Sequence, residues 1–329
     1  MNDPASRDSI QRFHFDALDI RGELAHLDDT WRQVNAAHRY PEPVQRLLGE
    51  LLAATALLAN TVKLRGTLTV QASGDGPVRV LMAECRDRET LRAIARVHGE
   101  VDGPTPPPGV SMGTELLGRG VLTITIRPEG REPYQGIVPL TGATLAEAVE
   151  GYFAQSEQIP TRLWLSAEDE TAAGLLIQAL PEELARNGRS ERQRDEDFHR
   201  VTLLADTVHA GELRDVDNET LLTRLFHEER VSVQAPDPLA FRCTCSRDRS
   251  REALRAMPRE ELEEILVEEG TIRMDCQFCH EVYEFDAIDV DADGDAVDRY
   301  RASGKWPDGA TLVKELRTAE SGNYTTGAG

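Results

Sequence analysis

The chain has almost no lysine. Three lysines (Lys63, Lys305, Lys314) stand beside 34 arginines in 329 residues, and against 58 carboxylates the formal net charge is −21. So acidic a chain repels phosphate backbones, which argues against a nucleic-acid partner. Aromatic residues are scarce as well, at 5%, too few for a base-stacking surface. Long apolar runs are missing. The longest, Leu51 to Ala59, is interrupted by Thr55 and falls far short of the ~20 residues that a membrane-spanning helix needs. The opening residues, MNDPASRDSIQRF, lack a basic stretch followed by an apolar one, so they do not read as a secretory signal. The expectation is a cytoplasmic chain with no membrane partner. No Ser/His/Asp or paired-carboxylate constellation stands out, nothing points to a substrate pocket, and the chain is not read as an enzyme. There is no internal repeat.

Cysteine is sparse too, but four of the five are concentrated in two tight pairs. Cys243-Thr244-Cys245 and Cys276-Gln277-Phe278-Cys279 are separated by 30 residues. Thiols at one- and two-residue spacing can converge on one centre, and four thiolates complete the tetrahedron that Zn²⁺ prefers. Thiols stay reduced in the cytoplasm, where clustered cysteines mean metal or redox chemistry more often than structural disulfides. Two residues along an extended chain place the Cα atoms of Cys243 and Cys245 roughly 6.5 Å apart, near the upper limit for a disulfide. The expected cofactor is one Zn²⁺ held by Cys243, Cys245, Cys276 and Cys279. Metal-bound sulfurs are thiolates, the form that peroxide or hypochlorite attacks. A permanent structural staple and a redox switch are both compatible with this spacing.

The remainder reads as α+β. Alternation from Phe13 to Arg21 predicts an opening strand, and a helix follows from Asp28 or Asp29 through Val34. Pro41 and Pro43 open a clearer helix, with Val44, Leu47, Leu48, Leu51, Leu52, Thr55, Leu58 and Val62 on one stripe. Strands are expected at Thr67–Gln71 and Val78–Met82 around the turn Gly74-Asp75-Gly76-Pro77, then at Leu91–Val97, Val121–Ile126 and Gly136–Leu140. A helix over Leu145–Ser156 and strands at Thr161–Leu165 and Gly174–Leu180 complete an N-terminal α+β domain, 1–187, with a mostly antiparallel sheet. Residues 188–240 begin polar and then carry helical patterning at Val201, Leu204 and Val208 and at Leu221, Leu222, Leu225 and Phe226. This helical linker has an apolar stripe that must be buried against something. Residues 241–287 form a small four-cysteine domain. Within it two short helices (Arg247–Ala256 and Pro258–Glu269) precede a hairpin with Cys276–Cys279 at its tip. The acidic stretch 288–329 is read as a disordered tail.

Other motifs take plainer readings. Cys85 is a small buried hydrophobe. His280, beside four thiols, is a surface residue rather than a fifth ligand. His227 is a solvated or capping histidine and not a pH sensor. Gly74-Asp75-Gly76 is a turn and not a phosphate loop, because no G-x-G-x-x-G or Lys-Ser/Thr pair follows. Asp289-x-Asp291-x-Asp293-Gly294-Asp295 starts like a calcium loop, but the twelfth position is Tyr300 where a bidentate Glu is required.

The chain resembles the heat-shock protein 33 family. The resemblance is carried by both cysteine pairs with their spacing, by Arg242-Cys243-Thr244-Cys245-Ser246-Arg247, and by His227-Glu228-Glu229. Upstream it is carried by Arg21-Gly22-Glu23-Leu24, Gly74-Asp75-Gly76-Pro77, Tyr134-Gln135-Gly136 and the stretch from Tyr152-Phe153 through Ser156-Glu157-Gln158 to Pro160-Thr161-Arg162. It spans roughly residues 10 to 290 in order. The resemblance implies an ATP-independent holdase that is zinc-bound and inactive when reduced. Oxidants would join Cys243 to Cys245 and Cys276 to Cys279, release the metal and unfold the linker, so that unfolding client proteins are held. Activated chains would form a homodimer. The rival from another class is a thiol–disulfide oxidoreductase using Cys276-x-x-Cys279. It is weakened by the expected hairpin, since such thiols ordinarily gain acidity by opening a helix.

Overall fold

The structure is a computed structural model of the chain, and it describes residues 7–62, 65–98, 101, 113–168, 170–181, 188–255 and 257–286. The proline-rich stretch 103–109, the calcium-like Asp289–Asp295 and the acidic tail lie outside these residues. The chain separates into two compact units, joined between Arg242 and Cys243.

In the larger unit a hairpin, β1 (Ser9–Phe15) and β2 (Ile20–Leu27), leads into α1 (Asp29–Ala36) and α2 (Glu42–Thr61). A meander of β3 (Gly66–Gly74), β4 (Val78–Arg86) and β5 (Thr90–Val97) follows, then α3 (Gly113–Leu117), β6 (Gly120–Pro128) and β7 (Tyr134–Pro139). Next come α4 (Leu145–Tyr152), a π-helical turn over Phe153–Glu157, and the strands β8 (Thr161–Ala167) and β9 (Ala172–Ala179). Three helices, α5 (Glu191–Ala205), α6 (Ala210–Asp215) and α7 (Asn218–Leu225), precede the short strands β10 (Val231–Val233), β11 (Asp237–Pro238) and β12 (Ala240–Phe241).

The expected single sheet is two. The first runs β10-β1-β2-β9-β8, with β11 also on β1, and the second runs β12-β5-β4-β3-β6-β7. Every pairing in them is antiparallel except β12 with β5. α2 packs against strands of both sheets, and 15 of its 20 residues are buried. That is why Ala53, Leu57 and Ala59, outside the predicted stripe, are buried too: a helix enclosed between layers is apolar on every side. The glycine at position 49 permits this closeness, since a Cβ there would lie 2.5 Å from that of Ala167.

The opening strand predicted over Phe13–Arg21 is corrected to the end of one strand, a turn and the start of the next. The Leu18 N–H donates to the Phe15 carbonyl at 3.3 Å and reverses the chain. Leu18 and Ile20 are both buried while Ala17, which would continue the Phe13/Phe15 period, is exposed, so the buried set changes phase at the turn. Strand β9, Ala-Ala-Gly-Leu-Leu-Ile-Gln-Ala, is buried along almost its whole length, the mark of a strand covered on both faces. One face meets the core around α2. On the other, Phe13, Phe15, Ile20, Leu24, Leu175 and Ile177 pack with Val201, Ala205, Leu213, Leu221, Leu222, Leu225 and Phe226. The stripe of α5–α7 is thus buried on the outer face of the first sheet.

This close packing explains a glycine in the Arg21-Gly22-Glu23 motif. Gly22 lies opposite Phe13 on β1, and a Cβ at that position would come within 2.1 Å of the Phe13 ring. α5, whose polar start gave no hydrophobic signal, is fixed by a capping box in which Ser190 and Gln193 each satisfy the other's backbone N–H.

The smaller unit contains α8 (Arg247–Arg255), α9 (Arg259–Glu269) and the antiparallel hairpin of β13 (Ile272–Asp275) and β14 (Val282–Phe285). Gly270, at φ +80°, ends α9 in the left-handed conformation that glycine accepts most readily. Its core consists of Leu254, Leu262, Ile265, Ile272 and Phe285. So few apolar side chains make a weak core, and small domains of this kind commonly need a metal or disulfides.

Candidate metal centre

Two backbone devices build the cysteine site. At the tip of the β13–β14 hairpin the Cys276 N–H donates to the Glu281 carbonyl at 2.9 Å, and the His280 N–H donates back to the Cys276 carbonyl at 2.8 Å. Closing this turn places His280 at φ +56°, and Cys276 and Cys279 emerge on a common side. The other pair lies in the extended segment just before α8. There Arg249 donates to the Thr244 carbonyl at 2.7 Å, holding the residue between the two cysteines. Arg247 donates to the Glu284 carbonyl at 2.5 Å and lies 4.6 Å from the centre of the Phe285 ring, tying the start of α8 to β14.

The result brings all four sulfurs together. Cys243 Sγ is 3.5 Å from Cys276 Sγ, Cys245 Sγ is 3.5 Å from Cys279 Sγ, and all four atoms lie within 4.8 Å of one another. None of these thiols is in a disulfide, and the separations far exceed the ~2.05 Å of an S–S bond. A tetrahedron of sulfurs at ~2.3 Å from a central ion has edges of about 3.8 Å, within the observed range. Tetrahedral sulfur suits Zn²⁺ or an iron–sulfur centre, so the donor set fits a thiophilic metal.

The electrostatics point the same way. Burial raises the Cys243 thiol, but the Cys245 backbone N–H and the neighbouring sulfurs outweigh it and bring Cys243 down to about 7. Burial and then the adjacent sulfurs push Cys279 well above the usual thiol range. Four sulfurs this close could not all be anionic without repelling one another, and a cation at their centre would offset that repulsion. The Tyr283 hydroxyl lies 3.2 Å from Cys245 Sγ, a partner that sequence reasoning missed. Its one signal is the β14 alternation, which puts Tyr283 on the same side as the buried Phe285.

The remaining residues singled out in the sequence lie apart from this chemistry. Cys85 is buried in β4, its thiol pushed up to about 12 by burial. His280 and His227 are exposed. Gly74-Asp75-Gly76 is a turn braced on the end of α3: the Gly76 N–H donates to the Leu117 carbonyl at 2.8 Å, and the Arg119 N–H donates to Asp75 at 2.7 Å. Among the described residues no helix is long and apolar enough to cross a membrane.

Comparison with known proteins agrees with this architecture. The family model described as Hsp33 protein matches residues 8–286. The 33 kDa chaperonin of Azotobacter vinelandii is 48% identical over 284 residues, covering 86% of this chain and 93% of the relative. That of Nitrosococcus oceani is 45% identical over 286 residues, covering 87% and 94%. The crystal structure of the 33 kDa chaperonin from Thermotoga maritima superposes with a TM-score of 0.74 at 22% identity, over 86% of this chain and 97% of that one, a likeness of fold. With a match that runs from β1 to the end of the cysteine hairpin and takes in both units, the chain belongs to the Hsp33 family.

Proposed function

We propose that this chain is a cytoplasmic, redox-regulated, ATP-independent holdase and not an enzyme, with Cys243, Cys245, Cys276 and Cys279 as both metal ligands and redox switch. The observation that carries the reading is the convergence of four sulfurs within 4.8 Å in a unit with a small apolar core among the described residues. A bound Zn²⁺ would hold the four sulfurs as thiolates and stabilise the fold of residues 241–287, since such binding is worth about 10–16 kcal/mol and is largely folding energy. Oxidation joins Cys243 to Cys245 and Cys276 to Cys279. Each pair of thiolates gives up two electrons to the oxidant as its S–S bond forms, and together the two disulfides consume all four metal donors, so the ion is released.

The small unit then loses its main stabilisation, and the linker 188–240 loosens with it. Its helices cover the outer face of the first sheet, where Phe13, Phe15, Leu24, Leu175 and Ile177 are buried. Uncovering that face presents the apolar surface that unfolding client proteins require, and activated chains pair as homodimers. No ATP, nucleic acid or membrane enters the cycle. Against the oxidoreductase reading, Cys276 and Cys279 sit at a hairpin tip, without the helix N-terminus that activates such thiols.

The test treats reduced protein with hypochlorite and follows zinc release and suppression of client aggregation together. Both should rise in step, with suppression stoichiometric in chaperone. Metal loss with aggregation unaffected would refute the switch, and catalytic turnover of a dithiol substrate would favour the rival.

A further inference from the structure

Tyr283 occupies a place that the ligand set does not account for. It sits on β14 opposite Met274, its ring packs beside the Leu254/Leu262/Phe285 core, and its hydroxyl reaches Cys245 Sγ at 3.2 Å. An O–H at this distance donates to sulfur, and donation to a thiolate is the stronger, charge-assisted kind. Partners of this sort orient metal ligands and adjust their electron density. Arg247 ties the neighbouring residues Glu284 and Phe285 to the start of α8.

Resting on the metal-site reading above, we infer that Tyr283 is a positioning residue that sets the oxidation threshold of the switch, by donating its hydroxyl hydrogen bond to Cys245 and withdrawing electron density from that sulfur. Oxidation by a peroxide begins when a thiolate attacks the O–O bond. One oxygen joins sulfur as a sulfenic acid and the other leaves as hydroxide. The partner thiolate then attacks the sulfenic sulfur, the S–S bond forms and a second hydroxide leaves, so that two sulfurs lose two electrons and the peroxide gains them. Within the Cys243/Cys245 pair, Cys245 acts in one of these steps whichever sulfur reacts first. A hydrogen bond that lowers the energy of its lone pair slows the step in which Cys245 is the nucleophile. The hydroxyl therefore guards the reduced state against weak oxidants.

Tyr283→Phe keeps the ring and removes only the donor. The full-length variant and wild type are loaded with one zinc per chain, which also verifies that the cysteine unit is folded, and mixed with excess hydrogen peroxide. Zinc release from Tyr283→Phe should be faster by about 10-fold, the lower end of what such outer partners contribute. In the Co²⁺-substituted proteins the sulfur-to-metal charge-transfer band should move to longer wavelength, because an unbonded thiolate is easier to oxidise. Unchanged or slower release overturns the inference. So does faster release with an unmoved band, which would mean that the hairpin had merely loosened. A reduced wild-type protein that binds no zinc refutes the metal-site reading itself, and this inference with it.

Discussion

Phe15 and Phe226 meet edge to face, with ring centroids 5.0 Å apart and planes at 82°. Phe15 belongs to the first sheet and Phe226 follows directly on α7, so this contact joins the covering helices to the face they cover. Phe13 adds a third ring 6.3 Å from Phe226. Both Phe15 and Phe226 are 2% exposed, and aromatic pairs of this geometry add to the area they bury.

Truncating that anchor should mimic activation. Phe226→Ala removes a buried ring and leaves a cavity, which costs roughly 3–5 kcal/mol at such sites. The helices would then detach from the sheet without any oxidant. Under reducing conditions the variant should bind more of a hydrophobic dye and suppress client aggregation, while its zinc content stays at one per chain. A reduced variant with wild-type dye binding and no holdase activity would show that this face is not the regulated surface.

Metal removal should unfold the small unit and loosen α5–α7, while the rest of the large unit stays folded. Cys243→Ser should lose most zinc affinity. In both the variant and the chelated wild type, amide exchange within residues 243–286 should lose its protection, while α2 and the sheet strands that pack on it retain theirs. Full zinc affinity in Cys243→Ser would show that the four sulfurs do not share one ion.

Glu23 supplies a pH dependence. It is 1% exposed, and burial raises it to about 7 despite the attraction of Arg12 and Arg21 and the nearby Arg88 and Asn60. Unfolded, the carboxyl returns to an ordinary value near 4.5. Between those two pH values the native state binds more protons than the unfolded state, so stability falls as pH rises through this window. Below about 4.5 the contribution is fully present, and above about 7 it is gone. A gap of this size is on the order of 3 kcal/mol. Urea unfolding of Glu23→Gln and wild type at pH 5 and pH 8 should show the variant gaining on wild type at the higher pH. An equal difference at both would clear Glu23 of responsibility.

Legibility in the sequence followed how local each determinant was. The long helix, the Gly74–Pro77 turn and the cysteine hairpin each carry their signal within about twenty residues, and all three stand where the pattern puts them. The β1–β2 turn escaped because the apolar Ala17 extends the Phe13/Phe15 alternation in sequence although it is exposed in the chain reversal. β10 and β11 escaped because strands of three and two residues carry almost no period. They exist because β1, more than 200 residues earlier, offers an edge to pair with. α6, a six-residue helix beginning at Ala210, is too short for a periodic signal.

The four thiols could be picked out as candidate ligands from the sequence alone, because ligand chemistry resides in residue type and close spacing. That two cysteine pairs 30 residues apart should share a site followed from the preference of metals for four donors. Folding decided which sulfurs stand closest, since Cys243 faces Cys276 and Cys245 faces Cys279 at 3.5 Å. It also brought the Tyr283 hydroxyl to one of them and seated the stripe of α5–α7 on the outer face of the first sheet. A periodic pattern states that a face must be buried, but long-range chain closure chooses what buries it.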